Sequence, residues 1–307
     1  MSFVGLLQAA AALTVIFSVI TALNIRHHSV ELFSHFRLQY FVVSVLLLLV
    51  FAALQNPQFS LALLLAAILN GVLIVDWYRP LKGESSGDQN LKLMHANVLA
   101  RNDQYQRLLD LITEEDPDMV FLQEINHDWL AGITSLKSEY PHFYTEPRAG
   151  NFGIAVYSKL PFDSVLHVDS PPLDYPTISA TVSIGEKQLT LVSSHPTIPL
   201  GRKLHAARNE QLESLAKRIQ GADEPIVLLG DFNASVWDPR YRNLERSTGL
   251  HNARRGFGVL ATWPTYMPFA MIPIDHVLVS EGIGVINAKT SKSIGSDHLP
   301  LIVTLSL

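Results

Sequence analysis

The 307-residue chain contains no cysteine. Disulfides, zinc–thiolate centres, iron–sulfur clusters and a thiol nucleophile are therefore excluded. Charge is scarce as well: Asp, Glu, Lys and Arg make up 17% of the residues, where about 25% is usual. With 48% hydrophobic residues, such a chain is not disordered, and part of it is expected in lipid. The few charges fall unevenly. In the first ninety residues Arg26, Arg37, Arg79 and Lys82 cancel Glu31, Asp76, Glu84 and Asp88, so the whole net charge of −5 belongs to the remainder. An acidic remainder is a poor match for generic, tight nucleic-acid binding. A Walker A loop and an H-E-x-x-H motif are also missing, which argues against a P-loop phosphate cradle and a zinc peptidase.

What is present begins with three uncharged apolar runs. Residues 3–23 are long enough to cross about 30 Å of hydrocarbon. Residues 40–54 and 59–75 are shorter, and Gln55-Asn56-Pro57-Gln58 separates them like a hairpin turn. The expectation is an all-α membrane region over residues 1–78, with transmembrane helices at about 3–23, 40–54 and 59–75, in a bacterial-type plasma membrane. Asp76-Trp77-Tyr78-Arg79-Pro80 reads as an interfacial anchor with its rings at headgroup level. Residues 79–90, with Lys82-Gly83-Glu84-Ser85-Ser86-Gly87-Asp88, read as a polar linker. With three spans, the 24–39 loop and the C-terminal part share one side. Arg26, Arg37, Arg79 and Lys82 lie there and no Lys or Arg lies opposite, so the positive-inside rule puts the large domain in the cytoplasm.

From residue 91 the pattern changes. Residues 91–98 alternate like a strand, and Tyr105, Leu108, Leu109 and Ile112 share one helix face. Residues 119–122, 154–157, 178–184, 189–192, 226–229, 274–279 and 301–305 read as further strands, and 202–219 as an amphipathic helix. Strands outnumber helices and neighbours are close enough for hairpins. The pattern predicts two packed sheets flanked by helices, an α/β sandwich.

Polar residues follow or interrupt these apolar runs: Asn97, Glu124, His195, Asp231, Asn233, Asp275, Asp297 and His298. A lone aspartate after a strand is usually a turn former. A set made only of acids, amides and imidazoles, delivered to one rim, is suited to metal-assisted phosphoester hydrolysis. The local motifs are more specific. Gln123-Glu124 after Val120-Phe121-Leu122, then Gly230-Asp231-Phe232-Asn233, Ile274-Asp275-His276-Val277 and Gly295-Ser296-Asp297-His298-Leu299-Pro300 occur in that order. Over residues 91–307 the chain resembles the endonuclease/exonuclease/phosphatase superfamily, which is matched also by residues 151–159 and by Thr262-Trp263-Pro264.

The resemblance implies a four-layered α/β sandwich, its two sheets mostly antiparallel, and Mg²⁺-dependent in-line attack of water on phosphorus, with Mn²⁺ as a substitute. It makes Glu124 the principal metal ligand with Asn97 beside it, and Asp231 the residue that orients or deprotonates the water. Asn233 would hold a phosphate oxygen. His298 would contact the phosphorane, with Asp297 or Asp275 orienting it, and His195 matches a second histidine. Membrane-bound bacterial members hold this domain outside the membrane, against the charge count, so its side stays open. Arg254-Arg255 and Arg202-Lys203 are paired cations and read as solvated pairs. The leading expectation is a membrane-anchored hydrolase of a lipid-linked or membrane-proximal phosphoester, its partners being the bilayer and that substrate. A nuclease of the same fold, disfavoured by charge, and a catalytically inactive membrane adaptor are the alternatives. No obligate protein partner is expected.

Overall fold

The computed structural model describes residues 2–23, 25, 27–80, 87–222 and 224–307. Arg26, and within the expected linker Lys82, Glu84 and the serines, lie outside the described residues. The N-terminal part comprises α1 (Phe3–Ala22), α2 (His28–Glu31) continued by a 3₁₀ turn (Leu32–Phe36), α3 (Arg37–Ala53) and α4 (Pro57–Val75). Ser2 caps α1 by accepting the Gly5 N–H. Asn56 caps α4 by accepting the Phe59 N–H, and Pro57 opens that helix where no donor is needed. Three helical stretches, Phe3–Ala22, His28–Ala53 and Pro57–Tyr78, are long and apolar enough to cross a membrane. They are apolar all round: Phe51 and Leu63 pack inside the bundle while Leu13, Leu46, Leu49, Leu61 and Val72 point outward. Such surfaces are suited to lipid rather than to water.

The second helical stretch starts earlier than its hydropathy indicates. Arg37, expected in a loop, opens α3 and is buried. Its guanidinium donates to Ser18 O and to Asn70 Oδ1, both at 3.0 Å, and Asn70 donates to Ser18 Oγ at 2.9 Å. Polar partners inside the bundle absorb the charge, so it does not end the helix. Arg37 therefore does not stand in the loop where the charge count had placed it.

The rest of the chain forms β1 (Asn90–Asn97), α5 (Tyr105–Glu115), β2 (Met119–Gln123), α6 (His127–Gly132), β3 (His142–Glu146), β4 (Ile154–Ser158), β5 (Ser164–Ser170), β6 (Tyr175–Ile184), β7 (Lys187–Ser194) and α7 (Gly201–Gln220). These are followed by β8 (Ile226–Asp231), α8 (Pro239–Thr248), β9 (His251–Asn252), β10 (Asp275–Val279), β11 (Gly284–Thr290) and β12 (Leu301–Ser306). One six-stranded sheet has the order β11-β12-β1-β2-β4-β3 and the other β5-β6-β7-β8-β10-β9. Only β1–β2 and β7–β8 pair in parallel, and α5 and α7 make the crossovers that parallel pairing requires. Leu108, Leu111 and Trp129 of α5 and α6 cover one sheet; Leu212, Leu215 and Leu244 of α7 and α8 cover the other. The result is the expected four-layer α/β sandwich.

Strand periodicity places the polar residues. Leu91 and Leu93 of β1, Met119 and Phe121 of β2, Val227 and Leu229 of β8, and Val277 and Val279 of β10 meet between the sheets. Met94, Val120, Leu228 and Leu278 face the outer helices. Extending the inward phase by steps of two brings His95, Asn97, Gln123, Asp231 and Asp275 to one end of the same gap. Gln123 ties the two sheets there, donating to Ser194 O and accepting the Asp231 N–H, both at 2.9 Å.

The helices are docked on the sandwich. Trp77 was expected at lipid headgroups. It is instead buried beside Ile74, Trp237 and Val259, and its carbonyl accepts the Gly256 and Gly258 N–H groups at 3.0 and 2.9 Å. The expected solvated pair Arg254-Arg255 is also used internally. Arg254 is buried and donates to Leu260 O, while the Arg255 guanidinium lies 4.8 Å from the Trp77 ring centre. An apolar surface on the sandwich takes up Trp77, and Arg255 lies on that ring, whereas Arg254 is held by its own buried partners, Leu260 O and His276 Nδ1.

Gly230 has φ 144, and a Cβ there would lie 2.0 Å from Ser194 O and 2.6 Å from Gln123 Nε2. Gly230→Ala should therefore destabilise the protein by about 2–5 kcal/mol through backbone strain and overpacking. Denaturant unfolding in detergent measures this, and an unchanged midpoint would show that the two sheets are not so tightly joined at Gln123.

Candidate active site

Glu124, His195, Asp231, Asn233, Asp297 and His298 line a cleft of about 300 Å³ at this end of the sandwich. Asn97 and Asp275 lie beneath them, fully buried. Glu124 directly follows β2 with φ 65, and Asn233 follows the β8 turn with φ 49. Left-handed backbone at non-glycine residues costs of order 1–3 kcal/mol each and persists where the surroundings impose it.

Asn97 is a bridge at the base. Its Nδ2 donates to Glu124 Oε1 at 3.0 Å and to Asp231 Oδ2 at 3.3 Å, while its Oδ1 accepts the Leu99 N–H. Glu124 Oε2 accepts the Ala100 N–H at 3.0 Å. Asp231 Oδ1 accepts the Asn233 N–H, and its Oδ2 lies 3.5 Å from His195 Nε2 and 3.6 Å from His298 Nε2. Two imidazoles and an amide thus converge, at separations too long for strong direct bonds, around one carboxylate oxygen. Asn233 Nδ2 donates to Pro196 O at 3.0 Å, with His195 Nε2 3.5 Å away.

Which carboxylate holds which histidine is settled by geometry. Asp275 Oδ2 is 2.8 Å from His298 Nδ1 and its Oδ1 is 2.9 Å from His95 Nε2. Asp297 turns the other way and accepts from Trp263 Nε1 at 3.1 Å. Asp275 and Asp231 face each other across the β8–β10 pair, an arrangement of like charges that is unfavourable unless compensated. His298 supplies the compensation. Burial alone would push its imidazole down, but the Asp275 and Asp231 carboxylates outweigh that and raise it to about 10. Burial likewise opposes ionisation of Asp275, yet His298 and His95 hold its carboxyl well below the usual range. His298 is therefore an imidazolium at neutral pH.

The donors available to a cation are hard oxygens. Asp231, Asp275 and His298 can bring one ligand atom each within 4.8 Å of one another, but His298 Nδ1 and Asp275 Oδ2 are already paired with each other. Glu124 and Asp231, joined by Asn97, offer carboxylate oxygens directly to the cleft. Such a set suits Mg²⁺ or Mn²⁺ and not a thiophilic metal.

Sequence reasoning missed His95, although its inward phase, two residues before Asn97, was a usable signal. Phe152 and Trp263, quoted only as part of motifs, form aromatic walls of the cleft. Leu32 and His35 also line it, and no sequence pattern could announce them, since they come from the segment between the first two apolar helices.

Residues 89–298 match the profile of the Endonuclease/Exonuclease/phosphatase family. Nocturnin of Drosophila melanogaster is 27% identical over 154 residues, 43% of this chain and 24% of that protein, so the chain spans about a quarter of that relative. A UPF0294 protein of Vibrio parahaemolyticus is 26% identical over 239 residues, 73% of this chain and 82% of that one. Among solved structures, D. rerio TDP2 complexed with single strand DNA product gives a TM-score of 0.62 at 18% identity, covering 72% of this chain and all of that one. The human Nocturnin catalytic domain with bound sulfate anion gives 0.57 at 20% identity, covering 71% and 94%. At such identities the structural likeness concerns the fold.

The raised pKa of His298 has a sign that can be tested. The stability it contributes is complete below about pH 6.5 and is lost as pH rises toward about 10. In chelator, the melting temperature of the protein should fall between pH 7 and 10, and His298→Gln should flatten that slope. An equally steep slope in His298→Gln would assign the alkaline loss to another group.

Proposed function

This chain belongs to the endonuclease/exonuclease/phosphatase family, a family of hydrolases acting on phosphoric ester bonds, and within it we propose a membrane-anchored, Mg²⁺-dependent phosphoester hydrolase. Its substrate is a phosphate ester presented at the bilayer, lipid-linked or membrane-proximal. The observation that carries the reading is the convergence of Asn97, His195 and His298 on Asp231, with Asp275 holding His298 from below. The three long apolar helices support the anchoring, in a plasma membrane crossed more than once.

Glu124, with Asn97 beside it, would hold the ion, with Mn²⁺ able to replace Mg²⁺. When bound, the ion supplies Lewis-acid polarisation of the phosphoryl oxygen. Asp231 orients a water in line with phosphorus and accepts its proton. The water oxygen–phosphorus bond forms as the ester oxygen–phosphorus bond breaks; the ester oxygen leaves with the bonding pair and takes a proton from solvent to become the alcohol. Asn233 Nδ2 and the His195 ring are placed to contact the phosphoryl oxygens. His298 stays cationic above neutral pH, so its part is electrostatic: it offsets the negative charge that grows on the phosphoryl oxygens in the transition state. Asp275 orients the ring, and Asp297, through Trp263, shapes the cleft wall.

A second reading, a nuclease acting on single strands, is favoured by the Phe152 and Trp263 walls, because bases stack on aromatic rings. Against it stand the net charge of −5 and a cleft in which Arg101 is the only Lys or Arg among the described lining residues.

A panel of lipid phosphates, phosphoinositides, sphingomyelin and DNA, assayed with Mg²⁺, separates the readings. Hydrolysis should stop in EDTA and return with Mg²⁺ or Mn²⁺, and Glu124→Ala should lose most of the metal-dependent activity. His298→Ala should fold and lose about 10²–10³ in kcat, the usual effect of removing one transition-state contact. Full activity in excess chelator would overturn the metal assignment. The whole chain should sediment with membranes and resist carbonate extraction; a freely soluble protein would remove the membrane anchor.

A further inference from the structure

The cleft is not built by the sandwich alone. Leu32 and His35, from the segment between α1 and α3, form part of its wall together with Trp263 and Ile272. That segment is fixed by buried bonds. Glu31 pairs with His205 at 2.5 Å and with Arg208 at 3.4 Å. His35 Nδ1 lies 2.9 Å from Ser235 Oγ and accepts the Ser235 N–H at 3.2 Å. Gln39 of α3 donates to Met271 O at 2.8 Å. One residue of the cleft wall, His35, therefore lies within a turn of Arg37, where α3 begins.

The mouth is apolar. Ile198, Pro199 and Leu200 line the cleft together with Leu32, and Leu200 is 57% exposed. The 265–271 loop, continuous with Trp263 and Ile272 and bonded to Gln39, leaves Phe269 79% exposed and Tyr266 64% exposed. Rings and aliphatic chains left open beside a polar, acidic cleft are suited to an amphiphile, with its phosphate inward and its hydrocarbon against the mouth. The scarcity of lining cations leaves little to follow a polyanionic backbone.

Resting on the hydrolase reading above, we infer that Leu32, Ile198 and Leu200 form a subsite for the hydrocarbon of an amphiphilic phosphoester, which reaches the cleft from the bilayer. Part of the substrate selectivity then resides in the membrane region and not in the catalytic fold.

The test uses the full chain in lipid nanodiscs with Mg²⁺ and two esters sharing one leaving group, 4-nitrophenyl methyl phosphate and 4-nitrophenyl hexadecyl phosphate. The wild type should prefer the long chain by about tenfold or more in kcat/KM. Leu32→Gln and Leu200→Gln should bring that ratio toward unity. Partitioning into the disc is the same for every variant, so it cannot mimic this change. Hexadecyl phosphate carrying a diazirine in its chain should label residues 29–36 and 197–201, whether or not hydrolysis occurs. Labelling there without hydrolysis of either ester would overturn the hydrolase reading and keep the subsite. Hydrolysis with an unchanged ratio in both variants, and label confined to the outer faces of α1, α3 and α4, would overturn the subsite alone. Faster cleavage of a single-stranded oligonucleotide that also displaces the label would reassign the mouth to bases.

Discussion

A buried carboxylate between two imidazoles is the interaction on which the active end of this molecule depends. Asp275 lies opposite Asp231 in an antiparallel pair, and no sheet tolerates two facing buried carboxylates without nearby positive charge or donors. His298 and His95 serve Asp275 from either side, while Asn97 donates to Asp231. The demand is mutual, because an imidazolium so deeply buried persists only beside those carboxylates. Loop 291–300 is drawn down onto β1 by the same need: Ser296 Oγ donates to Asn97 O and accepts the His298 N–H. The geometry of the cleft and its charge balance are thus one problem with one solution.

Much of this was legible in the sequence because a β-strand has a rigid period. Leu91, Leu93, His95 and Asn97 are one face of one strand, and Val227, Leu229 and Asp231 one face of another. Once the apolar members mark the core, the polar members must point into the same gap. Attention to residues that end strands found Asn97, Asp231 and Asp275 and overlooked His95, which is internal to its strand. The allocation of Asp275 to His298, and of Asp297 to Trp263, needed coordinates, since neighbours in sequence point in different directions at a loop.

The N-terminal helices were read well where composition decides and poorly where packing does. Uncharged length revealed the long helices. It placed Arg37 in a loop and Trp77 at headgroups because hydropathy treats each residue as facing a uniform solvent. Asn70 and Ser18 are more than fifteen residues from Arg37 in the chain, and the sandwich surface that buries Trp77 is assembled from segments far downstream. The contribution of Leu32 and His35 to the cleft is of the same kind, a tertiary fact without a local signature.

The docking of Glu31 and His35 on the sandwich has a consequence for how such an enzyme would search a bilayer. A catalytic domain on a loose string sweeps a hemisphere, visiting every height above the surface and every orientation. One bolted to its anchor keeps a single altitude and a single tilt, and its only free motions are drift and spin within the plane. Encounter then becomes a two-dimensional collision problem: lateral mobility sets the rate of meeting, and the height at which a phosphate rides in the membrane decides whether a meeting counts.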